Sequence, residues 1–510
     1  MSTLSSFFHG IGARDLPPVH PPVPPDTRQV SILVLKEIFR DSADFQLRPV
    51  WPGGEHVPGV WLCWIDGLVD AEAVSEQVLR PLTEAARFRG AESDGARFRL
   101  LEHGAVFSCT AQTRQQAGET AEDLLRGNCA VVFDKLGSAL CFEVKNPSVR
   151  PVGQPTVEKS VKGSKDAFVE TLRINTALLR RRLRTPELEL RQKRVGRRSG
   201  TAVTVVSLRG ITKAETLETL LRRLEDLDID GLLAAGQLEQ YLTDCPASPF
   251  PQLLHTERPD KFAEELLNGR VGLLADGLPM GFLLPATLPA ALAVAEDRGQ
   301  HFLLASALRL LRWLALGLGL LFPALFVAVA MYHQEMIPTR LLLSMIAAKQ
   351  DVPFSVATEV LGMLLAFELL MEAGLRLPDP VGDTVSIIGA LIVGQSAVEA
   401  RIVSPIAVIV VAAAAICGFL MPSRDLAGAL RLARLALVLL AIFLGLLGIV
   451  LGLCLLLLHL GSLESFGLAY LAPLSEGGFG AVLKALLRPP LPGDKLRQEG
   501  LHGGNRRNQK

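Results

Sequence analysis

The sequence predicts an α/β soluble N-terminal half of two related subdomains, followed by an all-α membrane domain of about five transmembrane helices. Three observations carry this. Most charged residues lie before residue 312, whereas the chain from there to residue 458 is dominated by Leu, Ala, Val, Ile and Gly. The first half carries short apolar runs closed by turn residues and followed by helical spacing, the punctuation of buried strands alternating with helices. And one block of that punctuation recurs downstream with its glycine and its aspartate in register.

Residues 1–28 form a leader rich in proline (Pro17, Pro18, Pro21, Pro22, Pro24, Pro25) that cannot build a core. Residues 29–158 are the first subdomain. Val60–Ile65 reads as a buried strand ending at Asp66-Gly67; Val74, Val78 and Leu82 fall at helical spacing, and Ala130–Phe133 is a second short strand. Residues 159–194 read as a basic helical linker, with Phe168, Leu172, Leu178 and Leu183 as its apolar stripe and Arg180, Arg181, Arg182 and Arg184 beside it. Such charges suit lipid headgroups or nucleic acid; with no aromatic platform beside them, salt bridges within an assembly are the better reading, and no nucleic-acid partner is expected. Residues 195–305 are the second subdomain, with a β-branched run Val203–Leu208 and a helix from Glu215 to Leu227. Here the block Asp123 to Asp134 lines up with Glu265 to Asp276, so that Gly127 matches Gly269 and Asp134 matches Asp276. Duplication explains this, and so does the commonness of the phrase helix, Gly, strand, Asp.

Residues 306–460 are the membrane domain and residues 461–510 a basic C-terminal tail. Trp313–Met331, Val352–Leu375, Thr384–Val398, Ile402–Ser423 and Leu435–Leu458 are the expected spans, and Leu341–Ala348 is too short to cross. Arg309 and Arg312 before the first span, and Arg424, Arg431 and Arg434 before the last, place the N-terminal half in the cytoplasm. The basic residues of the tail also favour the cytoplasm, whereas an odd number of spans puts the tail outside. Glu359, Glu368 and Glu372 lie inside one span, where each ionised carboxylate facing lipid would cost about 2.5–3.5 kcal/mol. They therefore face a hydrated path or protein partners such as Arg376 or Arg401, with Glu368 and Glu372 on one helix face and Glu359 on the other.

Equal numbers of basic and acidic residues, 52 of each, name no partner. Seven cysteines without metal spacing fit reduced thiols. No P-loop, zincin helix, dinucleotide fingerprint or GxSxG occurs, so neither enzyme activity, cofactor nor metal is expected.

Several stretches resemble the A-subunit family of GerA-type nutrient germinant receptors of endospore-forming bacteria. In the apolar half these are HQEMIPT from His333 to Thr339, VPF from Val352 to Phe354, FELLMEAGLRLP from Phe367 to Pro378, the long run from Pro380 to Val398, and IVSP from Ile402 to Pro405. In the soluble half they are WIDG from Trp64, ETLRIN from Glu170, VGRRS from Val195, DID from Asp228, SPFPQ from Ser248 and ERPD from Glu257. Arg401 stands where the family pattern leads one to expect a small residue. The resemblance implies the spore inner membrane, a transporter-like B-type subunit and a lipoprotein C-type subunit as partners, a homo-oligomer in contact with membrane lipid, and a cation path. Glu359, Glu368, Glu372 and Gln395 are then candidates for the path, and Glu399, Arg401, His333 and Glu335 for partner contacts at the hairpin tips. Two rival readings are a paralogue amplifying cation or dipicolinate release and a scaffold that conducts nothing.

Overall fold

The computed structural model describes residues 26–52, 60–84, 88, 91, 93–106, 110–145, 155, 158, 163–375, 394–475, 478–493, 495–498 and 500–507. The proline-rich stretch up to Pro25, Arg376 and residues 384–393 of one expected span fall outside them.

In the first subdomain, Ser31 accepts a hydrogen bond from the Leu33 amide and so starts α1 (Ile32–Ile38). Strands β1 (Phe45–Val50), β2 (Val60–Ile65), β3 (Ala111–Arg114), β4 (Asn128–Phe133) and β5 (Ser138–Glu143) form one sheet in the order β1-β2-β4-β5-β3. The central strands are buried on both faces because both sets of alternating side chains are apolar. Val131 and Phe133 enter one core with Leu62 and Leu140, while Ala130 and Val132 enter the other with Cys63 and Ile65. Helix α2 (Ala117–Leu125) covers the second face, and the chain leaves it through Gly127 at φ 89°.

The second subdomain repeats this plan. Helix α3 (Leu172–Arg182) precedes β6 (Leu188–Val195) and β7 (Thr201–Leu208); α4 (Ala214–Glu225) and α5 (Ala235–Leu242) lead to β8 (Leu254–Thr256); α6 (Pro259–Asn268) leads to β9 (Val271–Ala275) and β10 (Gly281–Leu284). The sheet order, β6-β7-β9-β10-β8, is that of the first sheet element for element. The aligned aspartates do the same job: Asp134 accepts from the Ile32 amide at 2.7 Å and Asp276 from the Leu172 amide at 3.0 Å, each tying a helix N-terminus to the sheet. Gly269, at φ 108°, ends α6 as Gly127 ends α2.

Among the described residues every strand pair of the two sheets is antiparallel. Adjacent strands joined by short turns, such as β4 and β5 at Gly137, leave no room for a crossover. The expected basic helical linker over 159–194 divides. Only Leu172–Arg182 of its described part is an α-helix, and Arg191, Lys193 and Arg194 lie on β6. As an edge strand β6 tolerates charge, which masks its β character in the sequence. Its outer edge is covered by the first subdomain, where Leu190 donates to the Asp41 carbonyl at 2.8 Å and accepts from Ala43 at 2.9 Å. Arg180, fully buried, grips both Asp44 oxygens at 2.7 and 2.9 Å and Ser42 at 3.0 Å, locking the two subdomains together.

The helical half comprises α7 (Phe302–Tyr332), α8 (Thr339–Lys349), α9 (Val356–Leu375), α10 (Pro405–Phe419), α11 (Arg424–Leu444) and α12 (Leu446–Ser462). Among the described residues α7 and α11 are long and apolar enough to cross a membrane, and α10 and α12 are shorter apolar helices. The expected single span Leu435–Leu458 is broken at Gly445, whose φ of 59° and ψ of −138° turn the chain back. A Cβ on Gly448 would collide with the Leu440 carbonyl, so the absent side chain lets α12 fold tightly against α11. Tyr332 packs on Gly445 and donates to the Ile442 carbonyl, marking the far end of the bundle.

The tail returns to the second subdomain. Ser465 accepts from the Ala286 amide at 3.0 Å and donates to the Gln252 carbonyl at 2.7 Å; Gly503 donates to the Ile211 carbonyl at 2.8 Å. Tyr470 and Leu501 are buried there. One apolar core runs through Leu288 of the second subdomain, Ala315 and Leu426 of the helices and Tyr470 of the tail. The tail and the sheets therefore lie on the same side of the bundle.

Candidate functional site at the junction of sheets and helices

Helix α9 distributes its carboxylates along its length, because nine residues of helix separate Glu359 and Glu368 by about 13 Å. Glu359, 2 % exposed, lies at the far end. Its Oε2 accepts from the Ser404 amide at 2.8 Å, and Lys349 Nζ stands 3.7 Å from its Oε1. Ser404 caps α10, so the charge of Glu359 sits at a helix N-terminus where the peptide dipoles favour an anion. Glu368 lies nearer the sheets. Arg431 Nη1 is 2.9 Å from its Oε2 and Arg434 Nη2 3.2 Å from its Oε1. The two arginines are three residues apart on α11 and so share one face. Arg434 also donates to the Ala414 carbonyl of α10 at 3.4 Å, which makes Glu368 the tie among α9, α10 and α11. Glu372 is exposed.

The expected partners of these acids thus change. Arg401 pairs with Asp351 at 3.0 Å and takes no part in holding Glu359 or Glu368. It has a φ of 56°, the left-handed region that any residue with a Cβ disfavours and that glycine alone adopts freely. Gln395 and Glu399 are exposed on the short helical stretch before it. His333, 3.4 Å from Glu335, follows Tyr332 at the far end, so these residues are remote from Glu368. The sequence marked Arg431 and Arg434 only as flanking charges. Their spacing of three beside an acid-bearing span was the available signal for their pairing.

Between the second subdomain and α9 and α11 lies a cavity of about 700 Å³. Glu368, Asp425 and Arg431 line its helical wall, and Glu239, Ser248 and Phe250 its sheet wall. The SPFPQ loop shapes that wall: Gln252 exchanges two hydrogen bonds with the Cys245 backbone, at 2.7 and 3.0 Å, and Ser248 meets His459 of α12 at 2.9 Å. At the rim, His255 Nδ1 is 3.1 Å from Asp425 Oδ2 and 3.9 Å from Glu239 Oε1. The hydrogen bond to Asp425 raises the pKa of His255 above its ordinary value despite burial. Burial, then the Asp425 charge, push the Glu239 carboxyl up to about 7.

The junction is also fastened by Asp297, which is buried with Arg312 at 2.6 Å and Arg309 at 3.5 Å. Burial alone would raise its pKa. The hydrogen bonds and charge of Arg312, with the charge of Arg309, prevail and hold it below the ordinary value.

The chain has relatives in sequence. An uncharacterized membrane protein YfkQ of Bacillus subtilis is 34 % identical over 88 % of this chain and 88 % of its own. Spore germination protein KA of Bacillus subtilis is 34 % identical over 92 % of this chain and 86 % of its own. The crystal structure of the N-terminal domain of the A subunit of the Bacillus megaterium spore germinant receptor GerK3 covers 53 % of this chain and 99 % of that domain, at 26 % identity and a TM-score of 0.41. The pattern of the family described as Bacillus/Clostridium GerA spore germination protein matches residues 34–499, and the chain belongs to that family.

Proposed function

We propose that this chain is the A-type subunit of a spore nutrient germinant receptor and that it gates a cation path in the spore inner membrane. The observation that carries this reading is Glu368, a carboxylate within an apolar helix, clamped by Arg431 and Arg434 beside a cavity. An unpaired acid at that depth is costly, so it is kept neutralised until another arrangement offers water or ions in place of the arginines. In a homo-oligomer with a central axis, one such acid per chain becomes a ring able to pass cations. Glu372 extends that acidic face, whereas Glu359, held by Ser404 and Lys349, fixes α9 to α10.

The tail and sheets on one side call for an even number of crossings. The turn at Gly445 supplies the extra one, making six with the span expected over Thr384–Val398, and both termini then lie in the cytoplasm. Nutrient binding to a B-type transporter-like partner, with a C-type lipoprotein in the complex, would drive opening only by binding the open arrangement more tightly.

The test is release of monovalent cations from spores carrying variants at wild-type protein levels. Glu368→Gln is expected to slow germinant-triggered release at least tenfold, and Arg434→Ala to cause release without germinant. Wild-type behaviour in both variants would rule out the gate.

A further inference from the structure

Three potential metal ligands converge at the seam from elements far apart in the chain: Glu239 on α5, His255 on β8 and Asp425 in the first turn of α11. Their donor atoms all lie within 4.8 Å of one another. From this geometry we infer that Glu239, His255 and Asp425 bind a first-row divalent cation, Zn²⁺ or Mn²⁺, which ties the second subdomain to α11.

The chemistry follows from the donor set. One imidazole nitrogen with two carboxylates suits Zn²⁺ or Mn²⁺, whereas Mg²⁺ and Ca²⁺ favour oxygen donors alone. Ligands about 2.0–2.2 Å from a zinc ion stand roughly 3.4 Å apart when tetrahedral. His255 and Asp425 are already 3.1 Å apart, and Glu239, at 3.9 Å from the imidazole, needs a shift of well under a side-chain length. All three side chains are partly exposed, at 27 %, 31 % and 44 %, so that shift meets no packed core. Two carboxylates against one imidazole leave an excess of negative charge that a divalent ion balances. Glu239 and Asp425 also line the cavity, which leaves coordination positions open to water on that side. The position is specific as well. Asp425 stands six residues before Arg431 on the same helix, so an ion here fixes the base of the helix that clamps Glu368.

The full-length chain in detergent, freed of any affinity tag and of trace metal, is titrated calorimetrically with Zn²⁺ and Mn²⁺. The expected result is one saturable site per chain, weakened at least tenfold in each of Glu239→Gln, His255→Gln and Asp425→Asn, with an excess of Mg²⁺ failing to compete. X-ray absorption of the zinc-loaded wild type is expected to show a mixed nitrogen and oxygen shell with one imidazole. That measurement decides the matter even if a variant fails to fold, as monitored by circular dichroism and size-exclusion chromatography. Absence of saturable binding to the wild type, affinity unchanged across the folded variants, or a shell without imidazole would each overturn the inference and leave an ion-paired triad only.

Discussion

The two sheet subdomains share a strand order, a helix-ending glycine and a helix-capping aspartate, and yet among the described residues only the second of them holds the helices and the tail. The difference lies at equivalent places. The edge strand β3 of the first sheet is largely exposed, whereas β8, in the same position of the second, presents His255 to Asp425 of α11. A Cβ on Gly127 would meet the Leu68 carbonyl of its own subdomain at 3.0 Å; one on Gly269 would meet the Leu501 carbonyl of the tail at 2.6 Å. The repeated scaffold therefore sets backbone geometry, while residues outside the repeat decide what docks on it.

The comparison can be broken most severely at Asp297, which lies outside the repeat. Asp297→Ala leaves Arg309 and Arg312 without their buried counter-ion and is expected to cost about 4–5 kcal/mol. Calorimetric unfolding of the full chain checks this, together with faster proteolysis between sheets and helices. The pH dependence has a definite sign: with its folded pKa held below the ordinary 3.8, Asp297 contributes stability that is fully present above that value and lost as pH falls below it. Asp44→Ala comes next. It strands the Arg180 guanidinium between the subdomains and is expected to cost about 3 kcal/mol in the same measurement, without loosening the helices.

The glycines sharpen the comparison. Gly127→Ala is expected to cost about 1–2 kcal/mol, the penalty of a left-handed residue with a Cβ. Gly269→Ala should cost more and expose residues 495–507 to protease, because its new methyl pushes on Leu501. Equal protease sensitivity of the tail in the two variants would contradict the docking described. Smallest of all, Asp134→Ala and Asp276→Ala are each expected to lose about 1 kcal/mol, as a lost N-terminal cap does. A clear inequality between them would count against equivalent roles.

Much of this was legible in the residues. The register of Gly127 with Gly269 and of Asp134 with Asp276 foretold two subdomains, and the structure supplies the physical reason for each pair. The acids of α9 were visible as costly groups that need shielding. Their partners were not, since Arg431 and Arg434 lie more than sixty residues further along and reach Glu368 only once α9 and α11 pack together. The charged edge strand β6 read as helix because Arg191, Lys193 and Arg194 continue the basic run that begins on α3, and an edge strand tolerates such charge.

By itself the sequence determined the division into a charged half and an apolar half, the repeat, and the cost of placing acids in an apolar helix, because composition, spacing and solvation energy are local properties. Only the tertiary structure decided which arginines neutralise Glu368, that the chain reverses at Gly445, and that the tail returns to the second sheet. Those outcomes depend on contacts between segments from 63 to 213 residues apart, or on one backbone conformation that a glycine permits without requiring it.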